Sequence, residues 1–183
     1  MNLKNRLKEI LLQKSYEQRE VKLASGRLSN FYFDGKQTAL SAEGAFLIGE
    51  CFFDLFQKSG RCIQAVGGPT LGADPLVTAI SLISHLKNAP LAAFIIRKEP
   101  KKHGTAKWIE GEKNLKPGMQ VVLVEDVITS GGSILKAAEK IEAAGYFVSL
   151  MATIVDREEG GRELIEAKGY RLLSLFTKSE LLS

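Results

Sequence analysis

Cysteine and histidine are scarce in this chain of 183 residues, with only two of each. Cys51 and Cys62 form no CxxC pair and sit in apolar surroundings, which fits small buried thiols rather than a disulfide framework or a redox site. His85 and His103 lie far apart, so the spacing of ligands that a zinc site needs is missing. No apolar run approaches the roughly 18 residues of a membrane span. Residues 1–15 alternate charge with leucine instead of carrying the uninterrupted apolar stretch of a signal peptide. These absences predict a soluble, cytoplasmic protein with no membrane partner. Two phosphate-binding strings are also missing: neither GxxxxGKS/T nor GxGxxG occurs, which excludes a Walker loop and a dinucleotide fingerprint. Linkers, repeats and low-complexity tracts are absent as well.

What is present reads as a globular chain, 45% hydrophobic and 25% charged, of a length that suits one domain with a sizeable core. The formal charge is +4, a balance compatible with nucleic acid and equally with a polyanionic small substrate. Its distribution is more informative. Arg97, Lys98, Lys101, Lys102, His103 and Lys107 fall within eleven positions, among Pro100, Gly104 and Gly111. Alone, such a run fits a solvated loop or a nucleic-acid patch.

Periodicity predicts an amphipathic first helix with Leu3, Leu7, Ile10 and Leu11 on one face. A pair of extended segments follows at Val21–Leu23 and Phe31–Phe33, with a turn at Ser25-Gly26. A helix is expected over 41–59, with Ser41 as its N-cap. From there the chain alternates. Apolar strands are predicted at 62–66, 91–96, 120–124, 147–155 and 171–174, and helices at 71–86, 132–144 and 160–168. This alternation predicts an α/β fold: a central, mostly parallel sheet flanked by helices, with a small N-terminal addition. In such folds ligands bind at the carboxyl ends of the strands. Each glycine-rich or charged segment follows a predicted strand, so these segments are expected to converge on one edge.

The most informative stretch is VVLVEDVITSGGS, residues 121–133. An apolar strand delivers the carboxylates of Glu125 and Asp126, then a turn and a helix start. Backbone N–H groups there suit a phosphate, with the hydroxyls of Thr129, Ser130 and Ser133 as further donors. Gly131 and Gly132 let the backbone approach such a group without a Cβ in the way. A carboxylate pair beside a phosphate needs another task, such as ribose hydroxyls or a Mg²⁺ already held by the substrate.

That stretch resembles the phosphoribosyl pyrophosphate signature of the type I phosphoribosyltransferases. The resemblance implies that Glu125 and Asp126 contact ribose, with Asp126 in the catalytic set, and that Val127, Ile128, Thr129, Ser130, Gly131, Gly132 and Ser133 wrap the 5′-phosphate. Four further motifs narrow the family to the orotate phosphoribosyltransferases. The segment 97–104 is similar to their RKExKxHG run. It implies that Arg97 and Lys98 hold pyrophosphate within one subunit, while Lys101 and His103 reach across from the partner of a homodimer as catalytic loop residues. The glycine-rich segment 66–76 resembles the pyrophosphate loop. The segment 25–34 looks like the SGRxSxxY hood over the pyrimidine, contributed by about residues 1–40 of a single domain spanning 1–183. Many relatives carry Lys just before Ser-Gly-Arg, and here that residue is Ala24. Finally, 156–161 matches DRxEGG, implying that Arg157 pairs with the orotate carboxylate and that Thr129 bonds the base. The implied activity is Mg²⁺-dependent transfer of ribose 5-phosphate from phosphoribosyl pyrophosphate to orotate in pyrimidine biosynthesis. Alternatives are a transferase for another base, and a regulator of the same fold that senses phosphoribosyl pyrophosphate and binds nucleic acid. Lys101, His103 and the lack of an added DNA-binding segment weigh against the latter, and no nucleic-acid partner is expected.

Overall fold

The computed structural model describes residues 2–19, 21–22, 28–100 and 107–183. The first helix, α1 (Leu3–Lys14), is capped by the Asn2 side chain, which accepts from the Lys4 amide, and it buries Leu7, Ile10 and Leu11. Leu3, placed on the same face from the sequence, is exposed instead. The extended segments form two separate ribbons rather than one pair. Strand β1 (Tyr16–Glu17) runs antiparallel to β4 (Tyr32–Phe33), while β2 (Val21–Lys22) pairs with β3 (Leu28–Ser29). The turn expected at Ser25-Gly26 lies outside the described residues. A short helix, α2 (Gly35–Ala39), was not legible in the sequence, since five residues are too few to show a period. Asp34 caps it, accepting from the Lys36 amide at 3.2 Å. The expected long helix is α3 (Ala42–Lys58), with Ser41 as N-cap accepting from the Gly44 amide at 3.3 Å.

The alternation that follows gives β5 (Ala65–Pro69), α4 (Ala73–Leu86), β6 (Ala92–Ile96), β7 (Ile109–Glu110), β8 (Gln120–Ile128), α5 (Gly132–Ala143), β9 (Phe147–Asp156), α6 (Gly161–Ala167), β10 (Leu172–Thr177) and α7 (Lys178–Leu182). The six-stranded sheet has the order β10-β9-β8-β5-β6-β7. Its pairings are parallel except for the short edge strand β7, which runs antiparallel to β6. Side-chain alternation along β8 sends Val122 and Val124 into a core shared with α1, α3 and α4. Val121 and Leu123 enter the opposite core with Ile134, Ala137 and Ile141 of α5. Helices therefore cover both faces, as expected for a sheet whose strands are apolar throughout.

Two boundaries differ in ways that shape the cleft, and a third lies away from it. The strand expected at 120–124 continues to Ile128, because β9 pairs with it as far as Ile128↔Asp156. Glu125 and Asp126 thus belong to the strand, not to the turn after it. The helix expected from Leu71 begins at Ala73, because Thr70 is drawn back to the sheet, its amide donating to the Ile96 carbonyl at 2.9 Å. Beyond the strand expected at 171–174 the chain adds α7, which opens with a capping box between Thr177 and Glu180.

Candidate active site

The carboxyl ends of β5, β6 and β8 open into a cleft of about 560 Å³, walled by the Thr70–Gly72 loop, Arg97 and Lys98, Glu125 and Asp126, and Ser133 with Lys136 and Lys140 of α5. Lys36, from the start of α2, closes the remaining side. Of the predicted residues, Arg97, Lys98, Glu125, Asp126 and Ser133 line this cleft. Lys101 and His103 lie outside the described residues, and so does Ala24.

The acidic pair is the most perturbed part of this cleft. Burial, aggravated by the neighbouring Asp126 charge, pushes the Glu125 carboxyl up to about 8. Burial also raises Asp126, against the opposing pull of Lys36 and of the Val127 amide, which donates to Asp126 Oδ1 at 3.0 Å. No hydrogen bond or ion pair engages the Glu125 side chain among the described residues. Asp126 sits where three elements meet. A Cβ at Gly72 would fall 2.6 Å from its Oδ1, and one at Gly35 would fall 2.8 Å from its Cβ. Lys36 Nζ lies 3.6 Å from Asp126 Oδ2 and 2.6 Å from Asp34 Oδ1.

The turn after β8 has the build of an anion cradle. Gly131 adopts the left-handed φ of 76° as the N-cap of α5 and provides no side-chain cap. The first amides of this helix thus lack the partner a serine or aspartate cap would give them, and they carry the positive end of its dipole. Ser130 and Ser133 are exposed beside them and Thr129 is half-buried. Gly161, opening α6, presses on Thr129, Ile128 and Gly131 so closely that a Cβ there would meet the Thr129 carbonyl at 2.6 Å.

The basic wall is anchored from behind. Arg97 pairs with Glu110 of the edge strand at 2.8 Å, while its amide donates to the Trp108 carbonyl at 2.9 Å. Lys140 Nζ donates to the Arg97 carbonyl at 3.0 Å and lies 3.9 Å from the centre of the Trp108 ring. One lysine on α5 thus fastens the residues on both sides of the basic segment, where Ile109 is buried and Trp108 is exposed. Lys136 and Lys140 were missed from the sequence. The signal was available: Ser133, Lys136, Ala137 and Lys140 follow the i, i+3, i+4, i+7 spacing of one helical face.

Arg157 is buried, with 7% of its surface exposed. Its guanidinium donates to Glu159 Oε1 at 3.1 Å and to the Phe31 carbonyl at 3.1 Å, and its amide donates to the Ile128 carbonyl at 3.0 Å. It thereby joins the hood to the end of β8. Asp156 and Glu158, which flank it in sequence, are engaged elsewhere: Asp156 binds Arg162 at 2.7 Å, and Glu158 accepts from the Ser179 amide and hydroxyl. Of the hood aromatics, Phe31 and Phe33 are core, stacked with ring centres 6.1 Å apart. Tyr32 is half-buried, with the Arg19 guanidinium 3.8 Å from its ring centre.

A strand-end cleft with a carboxylate pair, an uncapped helix start and a cationic wall suits a ligand that carries both hydroxyls and anionic groups. The model of the phosphoribosyl transferase domain family matches residues 37–176 of this chain. An orotate phosphoribosyltransferase of Sorangium cellulosum is 45% identical over 179 residues, covering 98% of this chain and 93% of the relative. The crystal structure of the Mycobacterium tuberculosis orotate phosphoribosyltransferase with Fe(III) dicitrate superposes with a TM-score of 0.84 at 36% identity, covering 98% of this chain and 99% of that one. The same enzyme crystallised with 5-phospho-α-D-ribosyl 1-diphosphate gives a TM-score of 0.80 at 33% identity, with both chains fully covered. The chain belongs to the phosphoribosyl transferase domain family and, within it, to the orotate phosphoribosyltransferases. Its fold is the type I phosphoribosyltransferase fold expected from the sequence.

Proposed function

We propose that this cleft transfers ribose 5-phosphate from phosphoribosyl pyrophosphate to orotate, forming orotidine 5′-monophosphate and pyrophosphate. The observation that carries this reading is the meeting, at one sheet edge, of the Glu125-Asp126 pair, the uncapped start of α5 and the buried Arg157 fork. The 5′-phosphate lies on the amides and hydroxyls of 127–133, and the ribose hydroxyls donate to Glu125 and Asp126. The pyrophosphate runs along the Thr70–Gly72 loop toward Arg97 and Lys98. Arg157 receives the orotate carboxylate, for which a planar guanidinium is suited, and Thr129 bonds the base.

In the reaction the C1–oxygen bond to pyrophosphate breaks, its electron pair leaves with the oxygen, and a ring nitrogen of orotate bonds to C1 as its N–H proton passes to solvent or to the departing pyrophosphate. No protein nucleophile is needed. Cations on the leaving group stabilise the departing charge more than the bound reactant, which lowers the barrier. Lys101 and His103, delivered by a partner subunit, supply part of that charge and exclude water from the electrophilic sugar. The donor set fits a Mg²⁺ shared with substrate oxygens. Glu125 and Asp126 are hard carboxylate donors in a buried setting, and Glu125 has no cation of its own, yet no cluster of three metal-binding side chains forms a complete cage among the described residues. Bound there, Mg²⁺ would neutralise pyrophosphate charge.

The 183 residues act as one catalytic domain in the cytoplasm, with residues 1–40 as the hood. No described helix is long and apolar enough to cross a membrane. Homodimer formation is supported by a mostly apolar groove of about 700 Å³ between α2 and α4, bordered by the exposed Leu40, Leu71 and Leu82 and sharing Lys36 and Leu71 with the cleft.

Loss of orotate absorbance on mixing protein, phosphoribosyl pyrophosphate and Mg²⁺ tests the reaction. It should require every component and collapse in Lys101→Ala. Consumption of uracil or a purine instead of orotate would refute the base assignment. Mixing Lys101→Ala with Asp126→Asn protein should restore activity that neither variant has, because a hybrid dimer then keeps one complete site. Failure to complement would sink the shared site.

A further inference from the structure

Lys36 stands apart from the other cations of the cleft, because it enters from the hood and faces the carboxylate pair. Of the five cations lining the cleft, Arg97 and Lys98 lie at the end of β6 and Lys136 and Lys140 lie on α5. Arg97 is committed to Glu110, and Lys140 to the Arg97 carbonyl and Trp108. Lys36 makes one short contact, 2.6 Å to Asp34, and one long one, 3.6 Å to Asp126. An ammonium has three donors, so the close pair with Asp34 fixes the side chain and leaves donors for a ligand. A third of its side chain remains exposed. The ammonium stands over the carboxylate that would receive the ribose, on the side where the Thr70–Gly72 loop also reaches Asp126.

We propose that Lys36 is a substrate-binding residue. It counters the Asp126 charge in the empty cleft and, when phosphoribosyl pyrophosphate enters, turns its free donors to the pyrophosphate oxygens nearest the ribose. The proposal rests on the reading of the cleft as a phosphoribosyl pyrophosphate site. Asp34 is the tether that makes the exchange possible, since it holds the ammonium through both states. Without Lys36 the ligand's anionic end meets an acidic pair screened only from the far wall.

Calorimetric titration separates this role from a purely structural one. The probes are phosphoribosyl pyrophosphate with Mg²⁺, and inorganic pyrophosphate alone. Lys36→Ala should weaken both by roughly 10- to 100-fold, the loss expected of a charge-assisted hydrogen bond, while Lys36→Arg recovers most of it. Unchanged far-ultraviolet circular dichroism and an unchanged melting midpoint show that the fold survives, and the Arg variant gives a second reading if the Ala variant does not. A Lys36→Ala protein that binds both probes as wild type does, or that loses only kcat, would overturn the assignment and leave Lys36 as a brace for Asp126. Wild-type protein that binds neither probe would instead refute the underlying reading of the cleft.

Discussion

The β8 end of the cleft and the hood above Arg157 hold their functional groups by different means. Glu125 and Asp126 extend from a strand paired on both sides, with buried valines and leucines on each face of the sheet. Their carboxyls are costly to ionise where they stand, and the sheet supplies the stability that keeps them there. The hood consists of two-residue strands in separate ribbons. It is tied down by a few polar bonds: the Asp34 amide to the Ser15 carbonyl at 2.9 Å, the Ser15 hydroxyl to Thr38 at 2.7 Å, and Arg157 to the Phe31 carbonyl. On the proposed reading, the groups that meet the ribose stand on the paired sheet, and those that meet the base stand where few bonds hold the chain.

Substitutions can break this contrast, beginning with the most damaging. Gly68→Ala should destroy the rigid side altogether, because its Cβ would press on the Val124 carbonyl and on Ala73. Overpacking against backbone costs about 1–3 kcal/mol or more, so the expected result is insoluble protein or a melting midpoint lowered by at least several degrees. Arg157→Ala should leave the sheet intact, loosen the hood it ties at Phe31 and lower kcat/KM for orotate by roughly 30- to 5,000-fold, the cost of removing one member of a buried charge pair. Affinity for phosphoribosyl pyrophosphate should be retained, and its loss would show that the two sides are not separable. Glu125→Gln reverses the pattern. Binding of phosphoribosyl pyrophosphate should weaken by roughly 10- to 100-fold, with orotate affinity little changed.

The same variant sharpens the comparison through pH. The Glu125 carboxyl lies near 8 in the folded protein, against an ordinary 4.5, so the folded state retains a proton that the unfolded chain releases. Its contribution to stability is complete below about pH 4.5 and is lost as pH rises toward 8. Melting midpoints of ligand-free wild type should therefore fall across this window relative to Glu125→Gln. Parallel profiles would mean that Glu125 is not held protonated. The smallest effect is expected at the hood's own bonds. Thr38→Val removes the partner of the buried Ser15 hydroxyl, costs about 1–3 kcal/mol, and should raise KM for orotate several-fold while kcat changes little.

Much of this was legible in the sequence, for identifiable reasons. The alternation of apolar runs and helical faces fixed the order of the sheet-and-helix region, and the strand-end motifs placed Arg97, Glu125, Asp126 and Ser133 around one cleft. The hood was harder, since strands of two residues and a helix of five leave no period, and their pairing is decided by tertiary contacts such as Phe31 on Tyr16, with ring centres 5.2 Å apart. The Arg157–Glu159 pair was not legible because adjacency in sequence favours Asp156 and Glu158, whereas the chain turns at Glu158, whose φ is +57°, and swings Glu159 back toward the guanidinium. The residues on α5 were not legible because the motif ends at Ser133, and the helix carries the wall two turns farther to Lys136 and Lys140.

Trp108 is the sole tryptophan of the chain, and its indole lies under the Lys140 ammonium at the root of the basic loop. The protein therefore contains a single indole beside its four tyrosines, placed against a charge that also lines the cleft. Excited at the red edge, where tyrosine does not absorb, emission from the unmodified molecule reports one location. A change in the Lys140 contact on ligand binding alters the field across that ring and hence its colour, so stopped-flow fluorescence follows events at the loop stem in real time with no attached dye.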